Sequence, residues 1–346
     1  MSIGGFFIAY RLPNTSSPLY YYSKEKINVS HPSEYLHKKG FLIQSSENSQ
    51  LLNWFIPLTN QSQIEEEVFF SKLPELSSNT PQNNTSKEEY EKQFNPILQK
   101  INSKELDKVI LAKIIKHQSK NQLKTKQLFN SLSNSYQECF VFLFSSEETG
   151  TWMGATPETL IKIQKDNCYT EALAGTKLKT EHKEWQTKEK KEQGIVAEII
   201  EDNFRSLDIE FTKSSPTVSK AGPVVHLKTS FQFSTNSSQI ASFILKTHPS
   251  PAISGYPKEK SIQFIKENEK IDRRYYTGLI GPVNLFNQTH IFVTLRCMEL
   301  FEKNIFNLYI GGGITKDSIA EDEWNETENK ASTLLNIINQ IDNQQT

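Results

Sequence analysis

The apolar positions of this chain fall into two rhythms. Over the first part, short apolar and aromatic runs at 6–10, 19–22, 41–43 and 54–57 alternate with turn residues and predict strands. The polar stretch 77–86 (SSNTPQNNTS), with Pro81 inside it, predicts a loop that separates this N-terminal portion from the rest. Beyond it, Tyr90, Phe94, Ile97 and Ile101 recur every three or four residues, so 88–101 predicts a helix. The β-branched run 108–117 (KVILAKIIKH) reads as a buried strand, and 140–144, 159–163, 168–173, 243–247, 291–298 and 305–310 read as further strands. Two longer helices complete the pattern. One covers 183–204, charged at its start and apolar at Ile195, Val196, Ile199 and Ile200; the other covers 321–341. Many strands, few helices and no regular βαβ alternation predict an α+β fold with mostly antiparallel sheets.

Composition narrows the functional classes. The 346 residues carry 39 Lys and Arg against 40 Asp and Glu, a net charge of -1. That balance offers no basic field for a nucleic acid and no polybasic membrane signal. No apolar run approaches the ~20 residues of a membrane span, and MSIGGFFIAYRLP has no positive segment before its apolar run. The expectation is a cytoplasmic protein without nucleic-acid or membrane partners. Cys139, Cys168 and Cys297 lie far apart with no CxxC spacing, against a disulfide framework, and the seven histidines form no HxH or HxxxH pair.

Five segments can carry chemistry. Gly311, Gly312 and Gly313 follow a predicted strand; they read either as a turn or as a strand end whose backbone N–H groups approach a ligand anion. On the C-terminal helix, Glu323, Glu326, Thr327 and Lys330 fall within an arc of about 100°. Two carboxylates on one face suit a hard divalent cation, while the plain alternative is a solvated face with a Glu326–Lys330 pair. On the earlier helix Glu189 and Glu192 are three apart, and Glu192 shares a face with Val196 and Ile199. Lys108 falls on the face of Ile110, Ala112 and Ile114, either snorkelling at a strand end or acting as a desolvated base. Arg296, opposite Val293, Leu295 and Cys297, suits capture of a carboxylate or is an ordinary surface residue.

The order of these segments resembles the chorismate-utilising enzymes. The matching motifs are KVILAK, GATPETL, EALAGTK, KEQ in a helix, VVHL, the long block THPSPAISGYPKEKSIQFIKENEKIDRRYYTGLIG, VTLRCMEL, YIGGGI and EWNETENK. The resemblance runs from about residue 108 to about 335, and HPSPAISG is most similar to the isochorismate synthases. It implies two large antiparallel sheets packed together with helices outside, as one unit over 1–346 in which 87–346 is the catalytic core. It implies Lys108 as the base that activates water for attack at C2 of chorismate, and Glu158 as the acid that helps the C4 hydroxyl leave. Glu192 and Glu326 would bind Mg²⁺, with Glu189 and Glu323 as their partners. Gly175 and Thr176 would hold the ring carboxylate; Arg296, Gly312 and Lys330 would contact the enolpyruvyl carboxylate; His226 would sit near the ring. The implied activity is a reversible isomerase in menaquinone or siderophore biosynthesis, a monomer without a glutaminase subunit. Salicylate synthase, an aminating synthase and a non-catalytic chorismate-binding relative are the alternatives.

Overall fold

The computed structural model describes residues 4–344 apart from 48, 179–183 and 222–223. The N-terminal portion contributes β1 (Phe6–Arg11), β2 (Leu19–Ser23), β3 (Ile27–Asn28), β4 (Gly40–Ile43), β5 (Trp54–Pro57) and a short helix α1 (Glu66–Lys72). Then follow α2 (Lys87–Asn102), β6 (Lys108–Gln118), α3 (Thr125–Ser135), β7 (Phe140–Ser146), β8 (Gly150–Thr156), β9 (Thr159–Gln164), β10 (Asn167–Leu178) and α4 (Thr187–Ser206). The last part holds β11 (Phe211–Lys213), β12 (Thr217–Ala221), β13 (Val224–Phe233), α5 (Ser237–Thr247), β14 (Gly255–Tyr256) and α6 (Lys258–Asn268). It ends with β15 (Leu279–Val283), β16 (Gln288–Val293), β17 (Cys297–Phe301), β18 (Ile305–Ile314) and α7 (Ala320–Gln344).

These strands form two sheets, and every strand pair is antiparallel. The eight-stranded sheet runs β14-β6-β18-β17-β8-β7-β1-β2. The ten-stranded sheet runs β11-β13-β10-β9-β16-β15-β4-β5-β3, with β12 on β13. The α+β reading with two antiparallel sheets therefore holds. The N-terminal strands are divided between the sheets: β1 and β2 extend one past β7, while β4, β5 and β3 extend the other past β15.

Strand β7 shows why its sequence is apolar throughout. Phe140, Phe142 and Phe144 face the second sheet, where Phe140 stacks on Phe292 of β16 at 4.2 Å between ring centroids. Val141 and Leu143, on the other face, pack with Leu128, Phe129 and Leu132 of α3 and with Leu334 and Ile338 of α7. A strand buried on both faces loses the alternation of polar and apolar residues. The ten-stranded sheet is covered on its outer face by Val196, Ile200 and Phe204 of α4 and by Ile240, Phe243 and Ile244 of α5.

Two expected strands need correction. The run 243–247 is no strand but the end of α5. Asn236 starts that helix by accepting a hydrogen bond from the Gln239 backbone N–H, and Ile240, Phe243, Ile244 and Thr247 recur at helical spacing on its buried side. A short apolar run carries both periods, and the cap upstream decides between them. The strand at 291–298 is broken at 294–296, where the chain passes from one sheet to the other. Of the two readings of glycines 311–313 the strand end holds: they pair near the end of β18 against Ala112, Leu111 and Ile110 of β6. The stretch 77–86 is irregular but pinned, because Thr85 exchanges hydrogen bonds with the backbone of Ile114. The helix placed at 183–204 begins at Thr187, Gln186 and Glu189 forming its capping box; residue 183 lies outside the described residues. No helix among the described residues is long and apolar enough to cross a membrane, and the three cysteines are free and buried.

Candidate active site

The chain crosses between the sheets at two adjacent places. Pro157 and Glu158 lead from β8 to β9, and Thr294, Leu295 and Arg296 lead from β16 back to β17. The crossings are laced together. The Val293 N–H donates to the Glu158 carbonyl at 3.0 Å, the Ala155 N–H donates to the Arg296 carbonyl at 3.1 Å, and the Thr156 hydroxyl donates to the Val293 carbonyl at 2.7 Å. Arg296 adopts a left-handed conformation with φ of 46°, a strained choice for a side-chain-bearing residue and one that clusters at functional sites.

These crossings form part of the wall of a cavity of about 240 Å³. The two sheets contribute Lys108, Glu158, Gly175, His226, Arg296, Gly311 and Gly313 to it. Helix α4 adds Glu189 and Glu192, and α7 adds Glu323, Glu326 and Lys330. Lys108, at the first position of β6, lies across the backbone of Gly313. A β-carbon there would sit 2.8 Å from Lys108 Cε and 3.4 Å from Nζ, so the glycine leaves room for the lysine. Gly175 (φ 71°) occupies a bulge in β10 and abuts α4, where a β-carbon would meet the Glu189 carbonyl at 2.8 Å. Thr176 follows it, opposite His226 of β13. Gly312 faces the other way from its two neighbours: a β-carbon on it would meet Thr327 of α7 at 3.2 Å, outside the cavity lining.

Burial sets the protonation of the strand-borne groups. Desolvation lowers the pKa of the Lys108 ammonium, and Lys330 adds to this, against the attraction of Glu192, Glu326 and Glu323. The Glu158 carboxyl is pushed up to about 8, first by desolvation and then by the charge of Glu171, against the pull of Arg296. At neutral pH Glu158 is mostly protonated. His226 is held down to about 3 by burial and by the charges of Arg296 and Lys330. Arg296 Nη2 donates to His226 Nε2 at 3.1 Å, which requires the neutral imidazole.

The helix-borne carboxylates have partners of their own. Glu189 accepts from the Gln186 backbone N–H at 2.9 Å, Glu323 from the Ser318 hydroxyl at 2.7 Å, and Glu326 from Lys330 Nζ at 2.8 Å. Lys330 also donates to the Gly311 carbonyl at 3.1 Å. Four carboxylates on two helices facing one cavity form an oxygen-only donor set that fits a hard divalent cation. Among the described residues, no three acidic, His or Cys side chains already converge on one point.

The cavity also holds residues that the sequence reading did not select. Tyr276, Leu295, Ala252 and Tyr309 line it. Tyr309 was findable, since it shares a strand face with Gly311 and Gly313 at a period of two; the others come from irregular segments with no periodic signal. Gln193, next to Glu192, is buried and donates to the Thr229 hydroxyl at 2.7 Å, which ties α4 to β13.

The family model for chorismate binding enzyme matches residues 28–339. The chain is 26% identical over 263 residues to the vibriobactin-specific isochorismate synthase of Vibrio cholerae, covering 72% of this chain and 66% of that protein. It is 28% identical over 244 residues to the isochorismate synthase MenF of Escherichia coli, covering 68% of this chain and 56% of that protein. Both matches span less than two thirds of the relative's own length. The solved structure of Escherichia coli MenF, a menaquinone-specific isochorismate synthase, has the same fold, with a TM-score of 0.79 at 21% identity over 96% of this chain and 88% of that one. The chain belongs to the chorismate-binding enzyme family.

Proposed function

We propose that this protein is a Mg²⁺-dependent isochorismate synthase, an isomerase that exchanges the C4 hydroxyl of chorismate for one at C2. The observation that carries the reading is the presence, in one cavity, of a lysine and a carboxylic acid that burial biases toward their neutral forms. Neutral Lys108 takes a proton from a water molecule as its oxygen attacks C2. Protonated Glu158 gives its proton to the C4 hydroxyl, which leaves as water while the ring double bond shifts. One water enters, one leaves, and the reverse protonation pattern runs the reaction backwards. Arg296 and Lys330 offer cationic contacts to the enolpyruvyl carboxylate, with Gly312 in the neighbouring backbone. Gly175 and Thr176 would hold the ring carboxylate, with neutral His226 opposite Thr176 on β13. Glu192 and Glu326 would hold Mg²⁺, with Glu189 and Glu323 supporting them; when bound, the cation supplies positive charge to neutralise the ring carboxylate. The names of the relatives support the same reading.

The test is incubation with chorismate and Mg²⁺, with and without ammonium, followed by chromatographic identification of products. Isochorismate alone is expected, with no glutaminase subunit required. Salicylate with pyruvate, or an aminated product, overturns the assignment.

A further inference from the structure

Glu158 borders two cavities. The first holds Lys108 and the carboxylate helices; the second, of about 610 Å³, lies against β9, β10, α4, α5 and the start of α6. Its inner wall includes the buried residues Leu160, Thr170 and Val293 beside Glu158, whereas Asp202, Lys246 and Glu259 at its rim are exposed. Glu171 also lines it, paired with Lys228 at 3.0 Å, and the Ser250 hydroxyl on its wall is a buried polar atom with no protein partner. The space thus runs from solvent to the back of Glu158, with polar groups that water would satisfy.

The proposed reaction needs such a route, and the inference rests on that reading. Each turnover leaves Lys108 with one proton more and Glu158 with one fewer, and it releases at Glu158 the water formed from the C4 hydroxyl. The water consumed enters on the Lys108 side. Substrate bound between the two groups blocks direct return, so both the released water and the replacement proton must pass through bulk solvent. We infer that the second cavity is the water-filled passage through which Glu158 discharges the released water and regains its proton, with Glu171 in its wall. The ionisable groups facing this route are Glu171, Asp202, Lys246, Tyr256, Lys258 and Glu259, with Arg296 facing Glu158 from the first cavity.

The test uses chorismate carrying a heavy oxygen isotope in the C4 hydroxyl. Mass spectrometry follows loss of label from chorismate relative to the isochorismate formed. In the parent protein, released labelled water escapes to bulk, so chorismate regenerated from isochorismate is unlabelled. Ser250→Phe and Ile199→Trp add bulk to the passage from two different elements. In each, the trapped water is expected to return to C4, so that label is retained several-fold more per isochorismate formed. The ratio is independent of the folded fraction. Label loss at the parent ratio in both variants overturns the passage. Absence of isochorismate from the parent reaction overturns the functional reading itself, and that outcome is seen before any variant is compared.

Discussion

The strand-borne and helix-borne parts of the cavity wall are built on different principles. Lys108, Glu158 and Arg296 stand at strand ends or sheet crossings, where the surrounding backbone is hydrogen-bonded and desolvation displaces their pKa values. Glu189, Glu192, Glu323 and Glu326 stand on helices; Glu326, with a side chain 48% exposed, pairs with the i,i+4 lysine Lys330 at 2.8 Å. Exposed pairs of that kind contribute a few tenths of a kcal/mol. The first group is preset by the fold, so proton transfer needs little rearrangement. In the second group Glu326 is half exposed and can adjust to a ligand whose charge organises it, while Glu323 is buried beside the Ser318 hydroxyl.

The largest expected effect separates these two designs at the helices. Glu192→Ala or Glu326→Ala should abolish turnover, because each removes an anionic oxygen donor from the proposed cation site. Near-normal activity of either variant at limiting Mg²⁺, measured by isochorismate formation, would reduce both helices to solvated walls.

At the strands, Lys108→Ala and Glu158→Gln should each lower kcat by ~10²–10⁴ while chorismate still binds. Calorimetric titration alongside steady-state kinetics checks both halves. A folded Lys108→Ala protein that turns over within a few-fold of the parent would remove the base from the account.

A smaller effect is expected at Gly313. An alanine β-carbon there falls 2.8 Å from Lys108 Cε, so Gly313→Ala should displace the lysine and lower kcat several-fold with little change in melting temperature. Equal kcat in the two proteins would mean that Lys108 has freedom that this packing denies it.

Much of the fold was legible because its signals are local. The period of three to four in α2 and the β-branched run of β6 each specify an element without reference to the rest of the chain. The end of α5 is not legible from its own residues, because the three apolar residues Phe243, Ile244 and Leu245 fit either period. The break before Arg296 had no signal in VTLRCMEL, since the turn there serves a crossing between sheets, a relation that exists only in three dimensions. The division of the N-terminal strands between the two sheets is non-local in the same way. For the site, spacing alone left Lys108 a strand-end lysine and Glu326 half of a surface pair. The resemblance grouped them, and the fold brings Lys108, Glu158, Gly175, His226, Arg296, Lys330 and the four helix glutamates into the lining of one cavity, with Gly312 facing away from it. Tyr276 escaped because it sits in an irregular segment with no periodic signal, whereas Tyr309 could have been grouped with Gly311 and Gly313 on one face of β18.

The central claim is that the fold alone keeps Glu158 protonated near neutral pH. Infrared difference spectroscopy of the ligand-free parent against Glu158→Gln tests it most directly. Glu299, also pushed up by burial to about 7, contributes to both proteins and cancels in the difference. The account predicts a carboxylic-acid carbonyl band at neutral pH, assigned to Glu158 and lost as the pH rises through about 8. A difference spectrum without that band at neutral pH, or one titrating in the ordinary range of an exposed glutamate, would contradict it.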